Sequence, residues 1–123
     1  MSDASPISFA KFEFEESRYQ RENKVWLAST LVKAVKEQKL EPFEYPVAAY
    51  DLSNMNFSLK NIYDFCLNVR RTLAADYESF PIILDDLGQV ADGNHRLCHA
   101  IVDGIAYIKA YRLKEMPIPD YLE

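Results

Sequence analysis

Residues 81–96, P-I-I-L-D-D-L-G-Q-V-A-D-G-N-H-R, constrain the fold of this chain more than any other stretch. The short apolar run at 82–84 is typical of a strand that is buried on both faces. Residues 85–88 have the composition of a tight turn, and Val90 begins a second short strand. A helical pattern starts directly after Gly93. The stretch therefore predicts strand, turn, strand and helix in immediate succession.

His95 and Arg96 fall in the first turn of that predicted helix. Backbone N–H groups of a first turn have no intrahelical partner, and the helix dipole is positive there. Such an end attracts anions, phosphate above all, and a guanidinium adds a bidentate contact. Arginine at this position works against the dipole by about 0.3–1 kcal/mol unless an anion compensates. The pattern therefore predicts a phosphate site made by the N–H groups of Asn94 and His95 and by the Arg96 side chain.

The same residues also fit a purely structural role. Asp92 or Asn94 would then cap the helix, Gly93 would adopt a backbone conformation that other residues resist, and Arg96 would be solvated. The phosphate site makes a different demand on the structure. It requires an open hollow in front of the helix that Arg96 faces, and an Arg96 held in an internal ion pair would count against the nucleotide site and leave an α/β scaffold.

The run Gly93-Asn94-His95-Arg96, after a strand–turn–strand and before a helix with small residues, resembles the nucleotide-binding motif of the ParB/sulfiredoxin superfamily, as in ParB-like N-terminal or nuclease-type domains. The likeness extends from about residue 46 to residue 113. It implies an α/β (α+β) fold in which a small mixed sheet packs with three main helices and the motif helix follows a β-hairpin. It also implies binding of ATP or CTP together with Mg²⁺, with Gly93, His95 and Arg96 holding the phosphates beside Asn94.

The resemblance divides the 123 residues into one domain with three parts. An amino-terminal arm and helix occupy 1–44, the ParB/sulfiredoxin-like core occupies 45–113, and a tail occupies 114–123. ParB partition proteins add a helix-turn-helix DNA reader and a dimerisation region, for which this length leaves no room. We therefore expect the isolated nucleotide-binding domain.

The chain departs from the sulfiredoxins at one position of the motif, and the resemblance implies several activities. Sulfiredoxins carry a cysteine immediately before the His-Arg pair, where this chain has Asn94, so reduction of a sulfinic acid is not expected. A nucleoside triphosphate hydrolase or a nuclease acting with DNA would need a metal or a base near the phosphate. Asp92 is the nearest carboxylate, a candidate catalytic residue and a ligand of Mg²⁺ through water. His95 is the second catalytic candidate, since it can relay a proton.

The sequence does not choose among these activities. Relatives act as nucleases or ATPases, and one branch is an amino-acid kinase. A non-catalytic accessory protein of a plasmid or phage, working by protein–protein contacts, is the alternative, and the oligomeric state stays open. The net charge of −5 counts against a protein that coats DNA by counterion release, although local basic patches keep DNA as a candidate partner. The lack of an apolar leader or a long apolar stretch predicts a cytoplasmic protein without a membrane contact.

The rest of the chain predicts alternating elements. We expect a helix at 23–39 capped by Asn23, a strand at 45–52, a helix capped by Ser58, and a last strand at 105–113. The helix after Ser58 has the cleanest amphipathic pattern, with an apolar stripe made of Leu59, Ile62, Phe65, Cys66, Val69 and Leu73. In the motif helix, the predicted buried face consists of Leu97, Ala100 and Ile101.

Four further expectations concern single residues and the two ends. Cys66 and Cys98 fall inside predicted helices among apolar residues and are expected to be buried thiols. The alternation of apolar and charged residues at 12–14 predicts an edge strand or an extended arm. The segment 116–119, with prolines at 117 and 119, is expected to be extended and not to form a ladder easily.

Overall fold

The computed structural model describes residues 17–50 and 59–123, and these residues form a small mixed α/β fold. Seven strands and three α-helices are present in these two ranges. In chain order they are β1 Arg18–Arg21, β2 Lys24–Leu27, α1 Ala28–Glu37, β3 Phe43–Pro46, α2 Ile62–Ala74, β4 Ile82–Leu84, β5 Val90–Asp92, α3 Asn94–Val102, β6 Tyr107–Arg112 and β7 Tyr121–Leu122, with a 3₁₀ turn at Val47–Ala49. The predicted fold class is confirmed at this coarse level.

The larger sheet has the strand order β3-β6-β4-β5. Strand β6 pairs antiparallel with β3 and parallel with β4, and β5 returns antiparallel to β4, so the sheet is mixed as predicted. All three residues of β4 are buried, which agrees with the apolar run. Strand β5 is the edge strand. The chain leaves the sheet at Asp92, and α3 begins at Asn94 after a single residue, Gly93. The hairpin thus places the start of α3 at one edge of the sheet.

A second sheet, with the order β1-β2-β7, was not predicted. The expectation of a helix from Asn23 is wrong for Lys24–Leu27, which pairs antiparallel with β1 from Arg18 to Arg21. Trp26 in β2 is fully buried, and its indole N–H donates to the carbonyl of Pro117 at 2.7 Å. Burial of this large ring against the rest of the chain outweighs the helical spacing of its neighbours.

The carboxyl-terminal end of the chain completes this second sheet through β7, whereas residues 116–119 lie outside the strands, as expected. The prolines precede β7, which pairs with Lys24 and Val25 of β2. Asp120 accepts hydrogen bonds from the Leu27 N–H and the Thr30 hydroxyl, both at 2.8 Å. Leu27, the residue before α1, has no side-chain cap of its own. A carboxylate from the far end of the chain therefore stabilises the start of α1.

Helix α2 has its apolar stripe turned away from the described core. Ile62, Phe65, Val69 and Leu73 are 75%, 50%, 41% and 56% exposed, whereas Leu67 lies on the buried face. The cap is Asn61, whose side chain accepts from the Asp64 N–H. Ser58, the expected cap, lies outside the described residues, as does the segment 12–14.

Several smaller expectations also change. The strand expected at 45–52 spans only Phe43–Pro46 before the 3₁₀ turn, and residues 51 and 52 lie outside the described ranges. Cys66 is exposed, so the expectation of a buried thiol is wrong there, whereas Cys98 is half-buried and burial raises the pKa of its thiol. Leu97 and Ala100 are buried as expected, but Ile101 is 40% exposed. Among the helices of 17–50 and 59–123, none has the length and apolar character needed to cross a membrane.

Candidate functional site

Gly93 joins β5 to α3 in a conformation that only glycine adopts without strain. Its φ is +108°, and a Cβ built on it would lie 2.6 Å from Cγ2 of Ile82 in the neighbouring strand. The Leu97 N–H donates to the Gly93 carbonyl at 2.9 Å, so α3 begins directly after this glycine, as predicted. Gly93 is itself the N-cap residue, and no side chain caps the helix there. The structural alternative is therefore right about Gly93 and wrong about a cap by Asp92 or Asn94.

An open cavity of about 420 Å³ lies in front of this helix end. The described residues that line it are Ser17, Arg18, Ala75, Asp76 and residues 91–96. All four predicted phosphate-binding residues and both predicted catalytic residues are therefore brought to one wall. The expected hollow is present. Its charges are mixed, with two guanidinium groups and two carboxylates.

Arg96 forms the internal ion pair that the phosphate prediction did not expect. Its Nη2 donates to Oδ2 of Asp92 at 2.7 Å, and the two side chains are 19% and 15% exposed. Its Nη1 lies 3.4 Å from the Phe80 carbonyl, at the long end of a hydrogen bond. Asp92 thus supplies the negative charge that offsets an arginine at the positive end of a helix. Two of the five N–H donors of Arg96 contact Asp92 and Phe80, so these contacts occupy part of its capacity while Asp92 balances its charge.

His95 turns from the cavity wall toward α2. Its Nε2 lies 3.0 Å from Oδ1 of Asn68, whose Nδ2 donates to the Asp64 carbonyl at 2.9 Å. Because the amide oxygen can only accept, Nε2 carries the proton and Nδ1 is the basic nitrogen of the neutral ring. Burial and the nearby Arg71 both lower the pKa of His95 below its ordinary value of about 6.5. The ring is therefore neutral at pH 7.

The opposite wall of the cavity is the loop that follows α2. A ring N–H of His99 in α3 donates to the Ala75 carbonyl at 2.8 Å, and the Tyr77 hydroxyl donates to Oδ2 of Asp103 at 2.6 Å. Hydrogen bonding to Asp103 raises the pKa of Tyr77 to about 12. These bonds tie the loop to the carboxyl-terminal part of α3. Asp76 is thereby held at the rim of the cavity.

Asp76 and Arg18 are site residues that the sequence analysis missed. Asp76 Oδ1 accepts from the N–H groups of Glu78 and Ser79 at 3.2 and 3.0 Å, and the hydrogen bonds from Ser79 lower the pKa of Asp76. An aspartate followed by polar residues and a proline at 81 is a recognisable turn pattern, so the turn could have been found. Its proximity to α3 could not. Arg18 reaches the cavity through β1, which the sequence did not reveal.

Among the described residues that line the cavity, the carboxylates of Asp92 and Asp76 are the groups that could contact a metal. Within the described residues, no three His, Cys, Asp or Glu side chains lie together in a way that could hold a metal ion. Mg²⁺ commonly binds through one or two carboxylates together with substrate phosphates and water. Asp92 and Asp76 fit that kind of shared site, in which the phosphate supplies further oxygen ligands.

A buried carboxylate, Asp85, anchors β1 to the hairpin and so places Arg18. Asp85 is fully buried and accepts from the Tyr19 hydroxyl at 2.6 Å and from the N–H groups of Leu87 and Gln89 at 2.9 Å. Burial acts to raise the pKa of Asp85, but the hydrogen bonds from Tyr19, Gln89 and Leu87 outweigh it, so the pKa is lowered. Burial and the hydrogen bond to Asp85 raise the pKa of Tyr19.

Arg21 extends this anchor. Its Nη1 donates to Asp85 at 3.2 Å and to Asp86 at 2.7 Å, and its guanidinium lies 5.8 Å from the centre of the Trp26 ring. Asp85 and Asp86 are thus turn and anchor residues in the folded chain, which agrees with their interpretation as turn residues.

The fold and site define a small mixed α/β protein with a polar cavity at the amino-terminal end of a helix. Comparisons of the chain with family models, with curated proteins and with solved structures find no match. Membership of the ParB/sulfiredoxin superfamily therefore stays a prediction from the motif and its order of elements.

Proposed function

We propose that this protein binds the phosphates of a nucleoside triphosphate, ATP or CTP, in the cavity in front of α3. One observation carries the proposal: the cavity opens at the amino-terminal end of an α-helix, and Arg18 and Arg96 both line it. The helix dipole and the guanidinium groups favour an anion, and Mg²⁺ beside Asp92 and Asp76 would offset the two carboxylates of the cavity. The resemblance of residues 93–96 to a nucleotide-binding motif supports the same ligand.

Each residue of the motif has a role in this proposal. Gly93 lets the chain pass close to Ile82 and turn from β5 into α3, which places the start of the helix at the cavity. Asn94 and His95 present the first amides of the helix, and Arg96 adds side-chain donors. Asp92 would hold Mg²⁺ together with the phosphates, with Asp76 as the other carboxylate of the cavity. When bound, the ion would neutralise phosphate charge.

Hydrolysis of the nucleotide, or nuclease action on DNA, is the activity that we propose for such a site. His95 is the candidate general base for the attacking water, and its Nε2 contact with Asn68 would orient the ring. Asp92 would hold the metal beside the phosphates and keep its contact with Arg96. The net charge of −5 makes a single phosphate chain a better fit than a broad DNA surface.

Calorimetric titration with ATP and CTP, with and without Mg²⁺, tests binding. Arg96→Ala should weaken binding about tenfold or more, because hydrogen bonds to charged groups contribute about 1.5–3 kcal/mol each. Lys109→Ala is the matched control. It removes a cation that pairs with Glu44 at 3.3 Å. This pair joins β6 to the edge strand β3, on the other side of the sheet from β5. Loss of binding in both variants, or in neither, would contradict the proposal, provided circular dichroism is unchanged.

Catalysis is tested separately from binding. Metal-dependent release of phosphate, or cleavage of DNA, should be lost in His95→Gln and Asp92→Asn. Activity that persists unchanged in both Asp92→Ala and Arg96→Ala would identify a contaminant.

The alternative is a non-catalytic accessory protein that works by protein–protein contacts. The exposed apolar stripe of α2 favours it, because contiguous apolar patches on monomeric proteins often mark contact sites. No heat of binding with either nucleotide, with or without the metal, would select this alternative.

A further inference from the structure

The apolar stripe of α2 lies on the wrong side of the helix for the core that the described residues form. Ile62, Phe65, Val69 and Leu73 recur at spacings of three and four residues along one face, and each is at least 41% exposed. Exposed Cys66 lies within the same stripe. An amphipathic helix normally buries such a face. The stripe therefore needs a cover that residues 17–50 and 59–123 do not supply.

The position of Ser17 points to the segment that precedes it. Ser17 lines the same cavity as Ala75 and Asp76, which immediately follow α2. Its carbonyl accepts from the Ala28 N–H at 2.9 Å, which fixes it there. The chain before Ser17 therefore starts beside the carboxyl-terminal end of α2.

The length of that segment matches the helix. A 13-residue helix is about 20 Å long, and ten extended residues reach at most about 35 Å. Residues 7–16 read I-S-F-A-K-F-E-F-E-E and place an isoleucine and three phenylalanines ahead of Ser17. The segment can therefore run along the whole stripe.

Charge also orients the segment. Glu13, Glu15 and Glu16 lie next to Ser17 in the sequence. Arg70 and Arg71 lie in the last part of α2 and line a shallow hollow with Ala74 and Ala75. A segment that ran along α2 would bring its acidic end to the basic end of the helix and its apolar residues over the apolar stripe.

We propose that residues 7–16 of the same chain bind the exposed face of α2, with Phe9, Phe12 and Phe14 against the apolar stripe and the glutamates beside Arg70. A tethered segment binds at an effective concentration on the order of millimolar, so modest contacts suffice. This proposal is independent of nucleotide binding.

Cys66 reports on the cover directly. In the full chain with Cys98→Ser, the rate at which a maleimide labels Cys66 should rise about tenfold or more when Phe12→Ser and Phe14→Ser are added together. Burying one phenylalanine is worth at least about a factor of ten in an equilibrium constant. Lys11→Ser is the matched control and should leave the rate unchanged, with circular dichroism verifying the fold in each variant.

A cross-linking measurement keeps the proposal testable without disrupting the contact. In the Cys98→Ser background, Phe12→Cys should form an intramolecular disulfide with Cys66 under mild oxidation, and Ser2→Cys should form much less. Equal labelling rates with and without the phenylalanines overturn the proposal. If those rates then fall with rising protein concentration, a second copy covers the face; if they do not, residues 51–58 or no segment covers it.

Discussion

The guanidinium of Arg96 and the carboxylate of Asp92, 2.7 Å apart, link the first turn of α3 to the last residue of β5. The pair balances the positive end of the helix in the absence of any ligand. An incoming phosphate must therefore compete with Asp92 for the same guanidinium. Because of this competition, removal of the Asp92 carboxylate should strengthen nucleotide binding.

Asp92→Asn should strengthen binding of nucleotide in the absence of Mg²⁺ by about twofold to fivefold. Removing the carboxylate releases Arg96 and deletes a negative charge from the cavity, and ion pairs of this exposure contribute up to about 1 kcal/mol. Calorimetric titration of ATP and CTP in a chelator measures the effect. Glu44→Gln, which breaks the surface pair with Lys109, is the control and should change nothing. Weaker binding by Asp92→Asn under these conditions would mean that Arg96 does not contact the phosphate.

Gly93→Ala should destabilise the fold by about 2–4 kcal/mol. The new Cβ meets Ile82 at 2.6 Å in addition to the cost of a positive φ. Gly104→Ala is a matched control, because its φ is +72° but no atom lies within 4 Å of its Cβ. It should cost only the backbone term, about 1 kcal/mol. Urea unfolding of both variants measures the difference, and similar losses would contradict the close approach of Gly93 to β4.

His95 should titrate below its ordinary range, and Arg71→Gln should raise its pKa. Burial and the charge of Arg71 both disfavour the protonated ring. Because the folded-state pKa is the lower one, the unfolded chain takes up this proton first as the pH falls. The contribution to stability is therefore present above about pH 6.5 and declines as the pH drops through the folded-state pKa. Proton NMR of the ring follows the titration, with Lys109→Gln as the control cation. An unchanged pKa in Arg71→Gln would show that burial alone lowers it.

Asp85→Ala should cost at least about 2 kcal/mol of unfolding free energy, because it leaves the Tyr19 hydroxyl and two backbone N–H groups without their acceptor in a buried position. Asp86→Ala should cost less than about 1 kcal/mol, since that carboxylate is 30% exposed and pairs with Arg21. Urea unfolding compares the two variants. Equal costs would rule out a special role for the buried carboxylate.

The same carboxylate makes stability fall in acid. The pKa of Asp85 is lower in the folded chain than in the unfolded one, so its contribution is complete above the unfolded value of about 4. It is lost as the pH falls through the folded-state pKa, since protonation removes the acceptor. Unfolding midpoints from pH 5 to pH 2 should show this decline in the wild type and a shallower one in Asp85→Ala.

Local patterns in the sequence determined the hairpin and the start of α3. The apolar run of β4, the turn at 85–88 and the glycine at 93 each act over a few residues, so their consequences follow from spacing alone. The same stretch placed Asp92, Asn94, His95 and Arg96 together at one helix end. Those elements and the main wall of the candidate site could be predicted.

The tertiary structure decided everything that depends on partners distant in sequence. Strand β1 is held by hydrogen bonds from Tyr19 and Arg21 to Asp85, which lies more than 60 residues further along the chain. Asp120 caps helix α1 and bonds to Thr30, which lies 90 residues before it. The sequence did not decide whether Arg96 pairs with Asp92 or faces the cavity, because only the packed backbone sets the rotamers of both side chains. The outward stripe of α2 shows the same limit. Periodicity identifies an amphipathic face, but which segment covers that face depends on contacts between distant parts of the chain.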